Sequence, residues 1–505
     1  MEVLAPVLIP LGYIIFALLT RSKALKQSMA VVFSLLNLAM ALWIASTVNE
    51  HEVIVSHIGS WPSPYGIVMV ADRFSAIMLT VAAVVFLATT VYSTQAIDSV
   101  RKENGYFLIS FGILAGVNGS FIAGDLFNLY VWFEVMLMGS FILVSFGGER
   151  LQLQGAIKYL ILNLISSFFF LAGVGILYGK LGSLNMADIS FKIQESGELL
   201  SSLTPALVLF VVGFAIKGAL FPFFFWLPAS YPTPPPAVTA LFAGLLTKVG
   251  IYALIRIYSL FLSYSDSFWN PLILWLGVLS MVVGVITATS QFDFRKILSF
   301  HIISQVGYVV TGLAFYTLGG VAAAIFFLVH NMLSKTNTLL VAGWVHREKG
   351  SLDIRDLGDM LNSSRIWATL FFISAFSLAG MPPLSGFAAK FLIIRSGIEA
   401  GQIVVSLIAL FVGFFTLFSM VKIWIEVFWK PVPSDGGELN IKTDGDLKPD
   451  RIMLGSSMFL GALIILMGIF ASPVMEFCEA AAADLLDTGK YYGFIFGESY
   501  TTPVN

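Results

Sequence analysis

The chain has 505 residues, 58% of them hydrophobic and 11% charged, with a formal net charge of −2. A soluble domain carries about 25% charged residues, so this composition excludes an ordinary soluble enzyme, and the charge balance offers nothing to a nucleic acid. The single cysteine, Cys478, excludes a disulfide framework, a four-cysteine metal cluster and a thiol redox pair, and the five histidines have no metal-ligand spacing.

At about 20 apolar residues per crossing, the sequence predicts an all-α polytopic membrane protein of about 14 transmembrane helices. The run from Met1 to Leu19 has no signal-peptide pattern and is read as the first span. Residues 1–104 form an N-terminal unit with spans near 3–20, 28–47 and 74–95. Residues 105–262 hold spans near 105–124, 126–146, 159–178, 206–226 and 237–262. Residues 269–428 hold spans near 269–290, 297–316, 319–343, 366–397 and 402–428. Residues 429–505 contain a cytoplasmic loop, a last span near 453–472 and an acidic tail expected to pack on the outer surface.

Two spans are broken by proline. In the stretch from Gly213 to Gly250, Pro222, Pro228, Pro232, Pro234, Pro235 and Pro236 deny the backbone its N–H donors. The stretch 378–391, LAGMPPLSGFAAKF, carries Pro382 and Pro383. Broken backbone at membrane depth is tolerated only where protein or a water-filled cavity surrounds it. Each break has a lysine close by, Lys217 and Lys390. The two broken helices fall in matching places of two five-helix units, 105–262 and 269–428. An odd number of spans gives the second unit the opposite orientation, the signature of an inverted repeat with ion sites near the midplane.

Orientation follows from Lys and Arg. With Arg21, Lys23 and Lys26 in a cytoplasmic first loop, the opposite side holds only Arg73, Lys180, Lys192 and Lys490. Both termini are then expected to face outward.

Charged groups inside spans are the functional candidates, because an unpaired ammonium near the midplane costs at least about 2.5–3.5 kcal/mol. Glu134 lies in mid-span in GDLFNLYVWFEVMLMGS, with Lys217 as its expected ion-pair partner. Such a pair can be a static packing device, or it can titrate. Lys217, Lys248 and Lys390 are flanked by apolar or small residues. Desolvation penalises an ammonium and can bring a buried lysine into exchange with protons at neutral pH. The span FFLVHNMLSKTNTLL adds His330 and Lys335 between the broken helices, and histidine passes protons through either ring nitrogen. His301 and Lys422 are secondary relay candidates, Lys422 together with Glu426. Arg256 and Lys422 lie nearer helix ends and are also expected to snorkel, and Asp293, Arg295 and Lys296 to form a solvated cytoplasmic turn. Asn163, Ser166, Ser167, Thr247, Ser304 and Gln305 fit two roles equally, holding water or bonding helix to helix.

These residues carry a family likeness. FEVMLM around Glu134, IKGALFPFFFWLP around Lys217, PPAVTALFAGLLTKVGIY around Lys248, HNMLSK, and MPPLSGFAAKF around Lys390 resemble the proton-translocating antiporter-like subunits. That family includes the large membrane subunits of respiratory complex I and the A and D subunits of Mrp-type sodium/proton antiporters. GDLFNLYVWFEVMLMGS and GSLNMADI look most like its D branch. PFFFWLP departs from the family's PFHxWLP, so a histidine expected near position 224 is missing. The resemblance implies a Glu134–Lys217 pair that gates proton movement, Lys248 as central relay, and Lys390 linking to the far side, bridged by His330 and Lys335. It implies no cofactor. It further implies Mrp A, B, C, E, F and G-like partner subunits, exchange of protons for Na+ or another monovalent cation, and a prokaryotic cell membrane. The alternative is a proton-pumping subunit of a redox complex, resembling complex I or a membrane-bound hydrogenase.

Overall fold

A computed structural model describes residues 2–262, 266–432 and 451–496. The expected loop residues 433–450 and the end of the tail, 497–505, lie outside the described residues. The spans are α1 (Ala5–Leu19), α2 (Lys23–His51), α3 (Arg73–Ala96), α4 (Tyr106–Ile122), α5 (Leu126–Ser145), α6 (Arg150–Leu181), α7 (Gly197–Lys217), α8 (Pro236–Ile257), α9 (Asp266–Ser290) and α10 (Phe294–Ala314). They continue with α11 (Leu318–Lys349), α12 (Arg365–Ala379), α13 (Ser385–Glu399), α14 (Ile403–Ile423) and α15 (Arg451–Ile469). The tail adds α16 (Ala471–Leu486) and α17 (Thr488–Phe496). Twelve of these segments are long and apolar enough to cross a membrane, and α4 and α12 are apolar but shorter.

The chain starts its helices where polar side chains satisfy the first N–H groups. Asp72 accepts from Ser75 N at 2.8 Å, Asp125 from Asn128 N at 2.9 Å, Asp293 from Lys296 N at 2.8 Å and Thr317 from Gly320 N at 3.1 Å. Pro236 opens α8, where its missing N–H costs nothing.

One element is not helical. Val53–His57 (β1) pairs antiparallel with Val68–Asp72 (β2), Val53 opposite Asp72. Both runs are rich in β-branched residues, which favour strands, but span counting passes over a loop of this length.

The helices form an inner row and a surround. All of the apolar window of α8 and of α10 is buried (100%), and 89% of that of α11, against 28% for α2. Among the described residues, the apolar windows of α8 and α10 are enclosed by protein completely, and that of α11 nearly so. A charge in the enclosed middle of these helices is therefore cut off from the surface.

Both breaks are visible. After Lys217 the chain leaves the helix, with Ala219 at φ +54°, and regains one turn at Trp226–Ser230 before α8. Trp226 Nε1 donates to Ile216 O at 2.9 Å and Phe221 N to Ser280 Oγ at 2.9 Å, so side chains replace lost helix bonds. Between α12 and α13, Gly380 sits at φ +94°, which favours glycine, and Pro382 and Pro383 follow. Pro222 and Pro383 follow cis peptide bonds. Pro228 is a correction to the sequence reading. It lies inside the short helix Trp226–Ser230, in a first turn whose N–H groups lack helical partners anyway.

Candidate functional site

The break after α7 places Lys217 at a helix end next to α5 and α6. Its Nζ donates to Ser167 Oγ at 3.3 Å, and the Ser167 hydroxyl in turn donates to Glu134 Oε1. The ammonium also lies 5.1 Å from the centroid of the Phe133 ring. The expected direct Glu134–Lys217 contact is thus corrected to a bridged one, because a serine of α6 stands between α5 and α7. Lys217 is 4% exposed, while Glu134 is half-buried on its helix.

Lys248 follows on α8. Gly250 lets α8 approach the end of α7 closely, since a Cβ there would stand 2.8 Å from Gly218 N and 3.0 Å from Lys217 Cβ. Lys248 is fully buried, and its Nζ donates to Ala243 O at 2.5 Å.

Lys335 on α11 is fully buried and donates to Leu298 O at 3.4 Å. It lies within electrostatic reach of both Lys248 and Lys390. His330, one turn earlier, is hydrogen-bonded through Nδ1 to Ser385 Oγ at 2.9 Å and to Ser334 Oγ at 3.3 Å. Ser385 is the first residue of α13, so the second break docks directly on the histidine. Gly386 makes this possible, because a Cβ there would lie 1.7 Å from Ser377 O and 2.9 Å from His330 Cε1.

Lys390 lies one turn further along α13. Its Nζ donates to Ala379 O at 3.1 Å and sits 5.4 Å from the centroid of the Tyr308 ring. His301 on α10 is hydrogen-bonded through Nε2 to Ser419 Oγ at 2.8 Å, and it feels the charges of Lys335 and Lys390.

Among the described residues, none of the ion pairs involves Lys217, Lys248, Lys335 or Lys390. Their partners are carbonyls, hydroxyls and ring faces. Several buried polar atoms beside them find no protein partner: His301 Nδ1, His330 Nε2, Thr247 Oγ1, Thr311 Oγ1 and both amide atoms of Gln305 and Asn331. Buried polar groups that protein does not satisfy are ordinarily satisfied by water. No cluster of His, Cys, Asp or Glu able to hold a metal occurs among the described residues.

Three further expectations change. Arg256 does not snorkel. It is 4% exposed and grips Asp72 with two bonds, Nη1 to Oδ2 at 2.5 Å and Nη2 to Oδ1 at 2.9 Å, and it also donates to Tyr252 Oη at 3.0 Å. The carboxylate that holds it ends strand β2 and caps α3, where span counting does not look. Lys422 donates to the carbonyls of Thr289 and Gln291 at 3.1 and 2.8 Å, at the end of α9, where cations complement the helix dipole. Glu426 pairs with Lys430 instead. Arg295 is tucked under the first break, donating to Pro234 O at 2.7 Å, rather than solvated. Sequence reasoning also passed over Ser385, Ser419 and Tyr308, because hydroxyls inside apolar helices are common and carry no signal of their own.

A family model described as NADH:quinone oxidoreductase/Mrp antiporter, transmembrane, matches residues 123–416. The chain is 40% identical over 497 residues, 98% of its length and 99% of the relative's, to the D subunit of the Na(+)/H(+) antiporter of Alkalihalophilus pseudofirmus (strain ATCC BAA-2126 / JCM 17055 / OF4). It is similar to a chain of the Mrp complex from Dietzia sp. DQ12-45-1b, with TM-score 0.89 and 29% identity over 98% of this chain and 99% of that one. It also resembles in fold a chain of the membrane-bound sulfane sulfur reductase, an archaeal respiratory membrane complex. There the TM-score is 0.86 and the identity 24%, over 98% of this chain and 99% of that one.

Proposed function

The chain belongs to the NADH:quinone oxidoreductase/Mrp antiporter family, and from that premise we propose that it is the proton-conducting, D-type membrane subunit of a multisubunit Na+/H+ antiporter. One observation carries the proton-conducting part. Four buried lysines, on α7, α8, α11 and α13, have no carboxylate at ion-pair distance among the described residues. A buried charge left unpaired is a cost to stability, not a contribution. Lysines kept there are accounted for by exchanging protons. The path links Glu134, Lys217, Lys248, Lys335, His330 and Lys390, with His301 beside it. Water at the unsatisfied amides and hydroxyls links groups too far apart for direct bonds. The two breaks supply mobile backbone in units 105–262 and 269–428, which act as inverted repeats. Protons move down their gradient through this subunit, and Na+ or another monovalent cation moves the other way through the assembly, which contains A, B, C, E, F and G-like subunits.

The reading is tested in everted vesicles carrying the assembled complex. Glu134→Ala is expected to abolish cation-driven proton flux while the complex still assembles. Near-normal flux in an assembled Glu134→Ala complex overturns the path. A second reading, a pump module in a redox complex, rests on the likeness to the archaeal respiratory complex, which is one of fold alone. Copurification separates the two: small membrane subunits favour the antiporter, and iron–sulfur proteins favour the redox complex.

A further inference from the structure

We propose that Ser167 is a relay residue in its own right: its hydroxyl carries the proton between Lys217 and Glu134. The proposal rests on the proton-path reading above. Its ground is the directed chain of two hydrogen bonds, Lys217 Nζ to Ser167 Oγ at 3.3 Å and Ser167 Oγ to Glu134 Oε1. A hydroxyl both donates and accepts, so it can stand between an ammonium and a carboxylate with each bond correctly polarised. Ser167 is 4% exposed and lies on α6, opposite both partners. Its neighbour Ser166 donates to Gly213 O at 2.7 Å, bonding α6 to α7 and fixing the distance across which Ser167 reaches.

The step balances within these three residues. An N–H bond of the Lys217 ammonium breaks as an O–H bond forms on Ser167. Ser167's original O–H bond breaks as a new one forms on Glu134 Oε1. A charged pair becomes a neutral amine and a neutral acid, and the serine ends as it began, with its hydrogen now directed at Lys217. Before the next proton can pass the same way, the hydroxyl must turn back toward Glu134. One turn of one hydroxyl thus accompanies each proton, and no water is needed at this link.

The test compares Ser167→Ala and Ser167→Thr with Glu134→Ala and wild type, all in the assembled complex, by cation-driven proton flux in everted vesicles normalised on a native gel. Ser167→Ala is expected to lose about a hundredfold in flux, the scale of a lost proton-transfer group. Ser167→Thr, which keeps the hydroxyl, is expected to run close to the wild-type rate. Infrared difference spectra give a readout that packing alone does not move. The carboxylic C=O band of Glu134, identified by its loss in Glu134→Gln, should shift in Ser167→Ala and stay in place in Ser167→Thr. Equal impairment of the Ala and Thr variants, or an unmoved band in Ser167→Ala, overturns the proposal. A Ser167→Ala complex at the wild-type rate beside an inactive Glu134→Ala complex overturns the serine link alone. A transporting Glu134→Ala complex overturns the whole path with it.

Discussion

At the scale of single residues, Lys248 separates a relay from a scaffold. A relay lysine must alternate between charged and neutral forms, and arginine keeps its charge because its pKa is above about 12. Lys248→Arg and Lys248→Ala are both expected to stop proton flux, with the Arg complex still assembled on a native gel. An Arg complex running near the wild-type rate would remove Lys248 from the path. Glycines give a second test. Gly386→Ala puts a methyl group onto the Ser377 carbonyl and His330. We expect a loss of about 1–3 kcal/mol or more and a lowered melting temperature of the purified complex. Gly179→Ala, which meets nothing within 4 Å, should leave stability unchanged or slightly higher. The lysines were legible in the sequence because a cation in an apolar run is costly and stands out. What receives them was not: Ser167 stood among several hydroxyls of open role, and the carbonyls of Ala243, Leu298 and Ala379 carry no sequence signal.

At the scale of elements, the buried Asp72–Arg256 pair ties the start of α3 to the last turn of α8. Tyr491 of α17 lies over it, 5.5 Å from the guanidinium carbon to the ring centroid. Asp72→Asn leaves a buried guanidinium without its counter-charge and should destabilise the protein by about 3–5 kcal/mol. The double variant Asp72→Asn with Arg256→Met should recover part of that loss in thermal unfolding. Burial is the largest single effect and would raise the Asp72 pKa, but the Arg256 charge together with the hydrogen bonds from Arg256 and Ser75 outweighs it and holds the carboxyl below the usual carboxylate range. A carboxyl depressed in the folded state adds stability above its unfolded pKa and loses it as pH falls through the lower folded value. Protection of the tail from protease should therefore persist through about pH 4, the ordinary aspartate range, and fail only below it. The breaks at Pro222 and at Pro382–Pro383 were legible because proline removes a donor. The cap that becomes an ion-pair partner was not, because cap and arginine lie 184 positions apart.

At the scale of the whole molecule, the expected topology can be checked by cysteine labelling in a Cys478-free background. An impermeant reagent added outside whole cells should label a cysteine placed within 473–496 and spare one placed within 350–359. The opposite pattern would invert the orientation. The all-α polytopic class was legible from apolar run length alone. Which helices form the inner row was not. Run length is similar for α2 and α8, yet α8 is wrapped completely and α2 scarcely, and only tertiary packing distinguishes them.

The tail connects these scales. Lys490 bonds Glu52 at 2.8 Å and Asp484 at 2.9 Å, and Asp484 holds Arg73 at 2.7 Å. Residues of α16 and α17 thus complete a cluster begun by residues of the N-terminal unit. A chain stopped before Ala471 would leave Arg73 without Asp484 and Arg256 without the covering ring of Tyr491, so the tail closes over charges that the transmembrane helices alone leave open.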